Sequence, residues 1–362
     1  MTLDTLLSIT AGVPDESVRS QARKRWDAIA KPVDGLGRFE EMICQVSSIL
    51  QDPLPDISKK ALIIMCADHG VTKEGVSQTD QSVTRKVASL MGQGISSVGI
   101  MTKHYPVDIF AVDAGINSDA ALEGVINRKV AKGTADLLRM PAMSGEECLK
   151  GIQAGMETVR NCARQGYRII ATGEMGIGNT TSAAALLCAL TGIAPETVAG
   201  RGAGLSDSGM QRKLCVIQDA LQLHFGERKH AGVSSGREAF EALRRVGGLD
   251  LAALTGAFIQ GAVSRIPVVI DGLISAAAAL CAENIVKGCR AYMIASHAGR
   301  EKGALEALHR LGLEPVIDAD LALGEGSGAV MLLPLLDMAM LLYREGTLFS
   351  EIEMKQYERF HT

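Results

Sequence analysis

The chain has 362 residues, of which 47% are hydrophobic and 22% charged, and its formal net charge is −4. This composition excludes a disordered protein, and the lack of a Lys/Arg-rich run and an aromatic content of only 4% give no indication of a nucleic-acid or membrane surface. The length allows one large α/β domain or two ordinary ones.

The cysteines and the termini indicate the compartment. The eight cysteines are scattered and form no C-x-x-C pair, which disfavours zinc and redox sites and is typical of core thiols in a reducing compartment. Asp4 stands where a signal peptide has positive charge, and the apolar part of the longest charge-free stretch, 175–195, is too short for a membrane span. We therefore expect a cytoplasmic protein.

The chain begins with helical patterns and continues with alternating strands and helices. Residues 16–31 and 38–50 place apolar side chains at helical spacing, and the turn "KPVDGLGR" separates them. Five short apolar runs follow, without polar alternation, at 61–67, 107–112, 167–172, 266–270 and 291–295. Such runs are typical of parallel strands covered on both faces.

This order predicts an α/β fold with a doubly wound, mostly parallel sheet flanked by helices, and with a smaller helical domain. Residues 180–263 are predicted to be mostly helical, with a break at "GRGAGLSDSG". We assign residues 1–58 to the small domain, with 338–362 as a candidate completion, and residues 59–337 to the large domain.

Four acids fall just past the predicted strands: Asp68, Asp113, Glu174 and Asp271. Because ligands of open α/β sheets bind at the carboxyl edge of the strands, the joint pattern predicts a site there. The alternative is that Asp113 and Asp271 merely cap the helices that follow them.

Three glycine-rich loops are candidates for binding an anion: "GEMGIGNTT" (173–181), "GRGAGL" (200–205) and "LGEGSGA" (323–329). Gly176 and Gly178 leave backbone N–H groups accessible next to a helix that starts near Thr180, and a helix with Lys213 follows the second loop. None of the loops matches an ATP or dinucleotide fingerprint. Together they indicate a phosphate ligand.

Two glutamates have glycine neighbours that leave room for a ligand. Glu325 lies between Gly324 and Gly326, so no neighbouring side chain keeps a ligand out of the hydrogen-bond reach that a general base needs. A glutamate in a surface turn would show the same pattern. Glu174 follows a glycine in the same way. His297 and Glu301 are spaced for one helix face but are too few for a metal site, and His69 is interpreted as a loop or packing residue.

Seven motifs together resemble one family. They are "KPVDGLGR", "CADHGV", "GEMGIGNTT", "GRGAGL" followed by Lys213, the Asp271–Gly272 pair, "SHAGREKG" and "LGEGSGA". In this order they resemble the nicotinate-nucleotide:dimethylbenzimidazole phosphoribosyltransferases, which make the lower-ligand nucleotide of cobalamin. The resemblance runs from about Lys31 to Ala329.

The resemblance implies that a base nitrogen attacks C1′ of nicotinate mononucleotide, that nicotinate leaves, and that an α-ribotide forms. The pyridinium nitrogen becomes uncharged as nicotinate leaves, so the leaving group needs no general acid. The nucleophile must lose an N–H proton, so one general base is sufficient. By resemblance that base is Glu325, with Glu174 near the ribose. The implied partners are nicotinate mononucleotide and a benzimidazole-type base, in a homodimer without cofactor or metal.

The resemblance also implies two sets of binding residues. The phosphate and ribose set is Gly176, Gly178, Asn179, Thr180, Gly202, Lys213, Ser296 and Gly299. The acceptor-base set is Ser77, Asp80 and Leu323.

The chain departs from the family pattern at several positions. Asp34 and Gly35 replace a Gly-Ser pair, and Phe39 replaces a leucine. Asp80 replaces a proline, which leaves the attacking base open, and Gly299 replaces a serine that resembles a phosphate contact. Two alternative functions remain: an N-glycoside hydrolase, in which Glu325 activates water, and a non-catalytic nucleotide sensor.

Overall fold

The computed structural model describes residues 1–359. The helices are α1 (Leu3–Leu7), α2 (Glu16–Ala28), α3 (Arg38–Leu50), α4 (Ser82–Gly92), α5 (Ser97–Met101), α6 (Gly145–Arg164), α7 (Asn179–Thr191), α8 (Pro195–Val198), α9 (Asp207–Phe225), α10 (Gly236–Val246), α11 (Leu249–Ser264), α12 (Leu273–Ile285), α13 (Lys302–Leu311) and α14 (Ser327–Glu345). The strands are β1 (Lys60–Ala67), β2 (Val107–Gly115), β3 (Ile126–Asn127), β4 (Ile169–Met175), β5 (Val268–Ile270), β6 (Met293–Ala295), β7 (His297–Gly299) and β8 (Ile317–Leu321).

The main sheet is doubly wound, as predicted. Its strand order is β3-β2-β1-β4-β5-β6, and every pairing is parallel, with Ile63 of β1 opposite Phe110 on one side and Thr172 on the other. The chain builds outward from β1 and then crosses back to β4, so the strand order reverses between β1 and β4. Ligands bind above such a reversal in doubly wound sheets.

The five predicted strands are all present, but three short ones were not predicted. β3 has two residues, and β7 and β8 form a separate parallel pair. Because β7 is extended, His297 and Glu301 do not share a helix face, so the helical interpretation of that spacing is wrong. Short strands lack the long apolar run that marks a buried strand.

The two faces of the sheet carry two hydrophobic cores. All eight residues of β1 are buried, and successive side chains point to opposite faces. Ile63 and Met65 join a core with α6, α7, α11 and α12, whereas Leu62 and Ile64 join a core with α3 and α14. Burying each such side chain contributes about 1.5–3 kcal/mol. This double coverage explains why the run shows no polar alternation.

The N-terminal helices pack against the C-terminal helix. The rings of Trp26 and Tyr343 lie 4.9 Å apart between their centroids, and the Lys31 ammonium lies 2.6 Å from the buried Glu40 carboxylate, which closes the "KPVDGLGR" turn. Through these contacts α2 and α3 pack on the same hydrophobic core as α14. The domain boundary after residue 58 stays a prediction, and residues 360–362 of its suggested completion lie outside the described part of the chain.

One helix within residues 1–359, α14, is long and apolar enough to cross a membrane. The sequence interpretation did not single it out. Buried helices of globular cores pass the same test, and 56% of its apolar window is buried inside the protein. Asp337, in the middle of the helix, pairs with Lys60 at 3.0 Å and accepts a hydrogen bond from Tyr105 at 2.6 Å. These contacts are those of a core helix.

Candidate active site

The candidate site lies above the point where the strand order reverses. β1 leads into Asp68 and His69, and β4 leads into the loop before α7. Glu174 is in register with Met65, so both loops leave the sheet side by side. β2 and β4 continue to Gly115 and Met175, so Asp113 and Glu174 lie inside the strand ends rather than after them.

The two loops that carry the predicted catalytic acids touch each other. A Cβ atom on Gly173 would lie 2.8 Å from the carbonyl carbon and oxygen of Glu325, and one on Gly324 would lie 2.7 Å from Glu174 Oε1. A side chain at Gly173 would push the loop backbones apart, and one at Gly324 would displace the Glu174 carboxyl. The structure therefore brings Glu174 and the Glu325 backbone together, although the two residues lie far apart in the sequence.

Glu325 has an unusual backbone conformation. Its φ is 59°, between Gly324 at 84° and Gly326 at 82°. A non-glycine residue in this left-handed region costs roughly 1–2 kcal/mol, so the surrounding contacts must hold it there. Glu325 Oε2 accepts a hydrogen bond from the Val98 N–H, in the first turn of α5, at 3.1 Å. Oε1 makes no hydrogen bond within the described residues.

Glu174 is held by an amide and surrounded by other carboxylates. The Nδ2 group of Asn179 donates to Glu174 Oε2. Burial, together with the carboxylates of Asp250, Asp271 and Glu301, raises the pKa of Glu174 to about 8, against the opposing effect of the Asn179 hydrogen bond. The raised pKa favours the protonated carboxyl, which can donate a hydrogen bond to a hydroxyl.

A small cavity of about 70 Å³ lies between three loops and is lined by Asn179, the residue that donates to Glu174. Its walls include predicted residues of both binding sets, namely Ser77, Gly176, Gly178, Asn179, Thr180 and Gly202. The Gln78 amide donates to the Gly204 carbonyl and so joins two of the walls. The glycine-rich segments at 173–181 and 200–205 therefore converge, whereas the third, at 323–329, does not line this cavity.

The glycines of this cavity also have a packing role that the sequence interpretation missed. A Cβ on Gly176 would lie 2.4 Å from the Ala67 carbonyl oxygen, and one on Gly178, whose φ is 95°, would lie 2.8 Å from a Thr72 methyl carbon. Both glycines let the loop pack against the end of β1 and the turn that follows it. These two positions are therefore glycine for close packing as well as for ligand access.

Lys213 and Gly202, predicted phosphate donors, already have protein partners. Lys213 is fully buried, and its ammonium donates to Thr180 Oγ1 at 2.9 Å and to the Gly200 carbonyl at 2.8 Å. The Gly202 N–H donates to Glu301 Oε1 at 2.9 Å. Burial lowers the pKa of Lys213 to about 8, partly offset by Glu301. Lys213 thus lies behind Thr180 instead of lining the cavity, and its direct contact with a phosphate stays a prediction.

The remaining predicted residues lie outside this cavity. Ser296 is buried, and its hydroxyl donates to the Ile270 carbonyl at 2.6 Å; Gly299 is half-buried in β7. Leu323 is 54% exposed. Asp80 is exposed, accepts from the Ser82 N–H at 2.8 Å, and lines a separate cavity of about 600 Å³ with Arg85 and Asn117. Asp80 therefore has the helix-start contact expected of a capping residue.

The other acids at the strand ends hold neighbouring loops. Asp68 accepts from the Asn117 N–H at 2.8 Å, and Asp113 accepts from the Ile116 N–H at 2.8 Å. Asp271 accepts from the Ala329 N–H at 3.0 Å. The alternative that Asp271 merely caps the helix after its own strand is therefore not what the structure shows, because its side chain anchors α14, which begins beside the Glu325 loop.

The sequence interpretation missed a buried polar group next to Glu174. Asp250 and His69 are both inaccessible to solvent, with His69 Nε2 3.0 Å from Asp250 Oδ1. Asp250 Oδ2 accepts from Asn179 Nδ2 at 3.3 Å. A glycine pair precedes Leu249 and Asp250, which is the same signal of a closely approached acid that singled out Glu174 and Glu325.

Comparison with known proteins agrees with the motifs. The family model DBI_PRT, described as a phosphoribosyltransferase, matches residues 12–353. The nicotinate-nucleotide–dimethylbenzimidazole phosphoribosyltransferase of Acetivibrio thermocellus is 37% identical over 358 residues, 99% of each chain. The enzyme of the same name from Ruminiclostridium cellulolyticum is 38% identical over 93% of this chain and 94% of its own.

Solved structures agree with the fold as well as with the sequence. The crystal structure of CobT from Thermus thermophilus matches with a TM-score of 0.86 at 36% identity, covering 94% of this chain and 100% of its own. The family predicted from the motifs is thereby confirmed. The chain belongs to the nicotinate-nucleotide–dimethylbenzimidazole phosphoribosyltransferase family.

Proposed function

We propose that this protein transfers the phosphoribosyl group of nicotinate mononucleotide to 5,6-dimethylbenzimidazole or a related base. The products are nicotinate and the α-ribotide used for the cobalamin lower ligand. The observation that carries this proposal is the contact between the Glu174 and Glu325 loops above the point of strand reversal, with Asn179 joining Glu174 to a cavity of glycine backbone. Relatives across the whole chain carry the name of this reaction.

Glu325 is the general base of this mechanism. The unprotonated ring nitrogen of the base attacks C1′ while the bond from C1′ to the pyridinium nitrogen of the donor breaks. The proton on the other ring nitrogen must then be removed as positive charge develops on the base, whereas nicotinate leaves with an uncharged ring nitrogen. One proton acceptor is therefore sufficient. The Val98 N–H fixes Glu325 Oε2, which leaves Oε1 to accept the proton. The glycines on either side give the incoming base close access to the carboxylate.

The loops around the small cavity hold the nucleotide. Backbone N–H groups of the glycine-rich segments and the Thr180 hydroxyl bind the phosphate, with the buried charge of Lys213 directly behind Thr180. Glu174 in its protonated form donates to the ribose or to the bound base. In this assignment the two glutamates have different protonation states and different roles.

The protein acts as a homodimer in the cytoplasm. Helices α5 and α14 expose large apolar side chains, including Ile100 at 59%, Met338 at 61% and Leu341 at 56%. Contiguous exposed apolar side chains are typical of protein interfaces. Light scattering at micromolar concentration tests this part, because a monomeric mass would contradict it.

A product assay tests the reaction. Purified protein is incubated with nicotinate mononucleotide, with and without dimethylbenzimidazole, and nicotinate and ribotide are quantified by chromatography. Transfer releases nicotinate only when both substrates are present. Nicotinate release from the nucleotide alone would identify an N-glycoside hydrolase, and two unchanged substrates would identify a nucleotide sensor.

A further inference from the structure

A chain of buried polar side chains leads from the protein interior to Glu174. Ser182 Oγ forms a hydrogen bond of 2.9 Å with His69 Nδ1, and His69 Nε2 lies 3.0 Å from Asp250 Oδ1, within ion-pair distance but without the angle of a hydrogen bond. Asp250 and Glu174 then share the Nδ2 group of Asn179. The chain joins three elements, since His69 follows β1, Asp250 lies in the first turn of α11, and Ser182 and Asn179 lie in α7.

The residue types are those of a hydrolytic triad, but their burial excludes that role. Ser182 is only 1% exposed, and both His69 and Asp250 are inaccessible to solvent. A nucleophile must reach its substrate, and this hydroxyl points into the core between α7 and the end of β1. The group therefore acts on its neighbours within the protein.

The group has little freedom to rearrange. A Cβ on Gly248 would lie 2.1 Å from His69 Cε1, so only glycine leaves space for the ring. Asp250 Oδ1 also accepts from the Leu251 N–H at 2.7 Å, and a Cβ on Gly176 would lie 3.0 Å from Asp250 Oδ2. The imidazole and the carboxylate are thus fixed from several sides.

This fixed pair determines which way the Asn179 amide faces. The Nδ2 group carries two hydrogens, one available to Asp250 and one to Glu174. A flipped amide would present its oxygen to the Asp250 carboxylate, which is unfavourable in a buried setting. Because the Leu251 N–H and the adjacent His69 ring keep the Asp250 carboxylate in place, Asn179 presents a donor to Glu174.

We propose that His69 and Asp250 are positioning residues that act through Asn179 to hold the Glu174 carboxyl in its reactive orientation. This inference rests on the proposed function, because it assigns a role to Glu174 in the transfer reaction. Neither residue lines the cavity, and the Asn179 amide is the contact through which Asp250 reaches it. Loss of the pair should therefore lower kcat more than it raises KM.

A double-mutant cycle tests whether the pair acts through Glu174. Asp250→Asn keeps the shape of the side chain but removes its charge and one acceptor oxygen. We expect it to lower kcat about 10- to 100-fold in the wild-type background, and by less than twofold when Glu174→Gln is already present. An equal loss of kcat in both backgrounds would overturn the proposal, because a general structural defect does not depend on Glu174.

Asp108→Asn provides a matched control. Asp108 accepts from the Tyr167 hydroxyl at 2.6 Å near the opposite end of the sheet, so the same chemical change there should show no coupling to Glu174. His69→Gln carries the test if Asp250→Asn does not fold, as judged by thermal unfolding, and the same pattern is expected. Coupling of Asp108 to Glu174 as large as that of Asp250 would also overturn the proposal.

A titration separates this inference from the proposed function. The charged groups that face Glu174 are Asp250 from α11, Asp271 after β5, and Glu301 before α13. Removing the charge of Asp250 should lower the pKa of Glu174, which carboxyl ¹³C NMR measures without any substrate. An unchanged pKa would contradict the inference even in an active enzyme, whereas a lack of transfer by the wild type would contradict the proposed function alone.

Discussion

Replacing Glu325 by glutamine tests the general base with little disturbance of the loop. Glutamine has the same length and similar backbone preferences, so the left-handed φ of 59° is no harder to hold. Its side-chain oxygen can still accept from the Val98 N–H, which the carboxylate does at 3.1 Å. What is lost is the ability to take a proton. We expect binding of both substrates and the melting temperature to remain close to those of the wild type.

The expected loss is in kcat, by about 10²–10⁴, the usual contribution of a positioned general base, or about 3–5 kcal/mol in activation free energy. Steady-state kinetics with both substrates saturating measures it, and calorimetry measures nucleotide affinity separately. Asp320→Asn is a matched control, because Asp320 is an exposed acid with a φ of 50° in β8 and should be dispensable. Wild-type turnover in Glu325→Gln would refute the assignment, and a loss confined to affinity would make Glu325 a binding residue.

Three further changes test the surrounding assignments. Lys213→Met should weaken nicotinate mononucleotide binding by roughly 1.5–3 kcal/mol without affecting the binding of free benzimidazole. Because burial holds the pKa of Lys213 at about 8, binding of the anionic phosphate above that pH should be accompanied by proton uptake. Calorimetry in buffers of different ionisation enthalpy should show less proton uptake in the variant. Gly299→Ser should fold normally, since its Cβ would lie no closer than 3.6 Å to any neighbour, and should lower KM for the nucleotide if the family serine contacts phosphate; an unchanged KM would argue against that contact. Asp80→Pro should lower kcat/KM for adenine relative to dimethylbenzimidazole if the carboxylate accepts a hydrogen bond from an N–H or O–H group of polar bases. An unchanged ratio in a folded variant would limit the role of Asp80 to its contact with Ser82.

The fold was predictable from the sequence because burial leaves a periodic signal. The run 61–67 is apolar throughout since β1 is covered on both faces, whereas β2 is fully buried only from Ala111 to Gly115. The strand ends then placed the acids at the correct edge of the sheet. β7 and β8 escaped prediction because they are short and partly exposed, so neither periodicity nor a continuous apolar run marks them.

The partners of the site residues were not predictable in the same way. Val98 donates to Glu325 from 227 positions away, and Ala329 donates to Asp271 from 58 positions away. Nothing in the local sequence of α5 marks it as the element that holds the Glu325 carboxylate. Periodicity reports how deeply a residue is buried, but it does not report which distant residue it meets.

The glycines beside the two glutamates do more than leave room for a ligand. The glycines beside the acids were interpreted as room for a ligand, and this led correctly to the loops of Glu174 and Glu325. In the structure the same residues are contact points between protein segments: a Cβ on Gly326 would lie 2.5 Å from Leu62 Cδ1, and one on Gly173 would lie 2.8 Å from Glu325. A substitution at Gly173 would therefore displace the base before it touched a substrate. The pattern marks acids that the backbone approaches closely, and by that criterion the glycine pair before Asp250 indicated a third such acid, deep behind the first two.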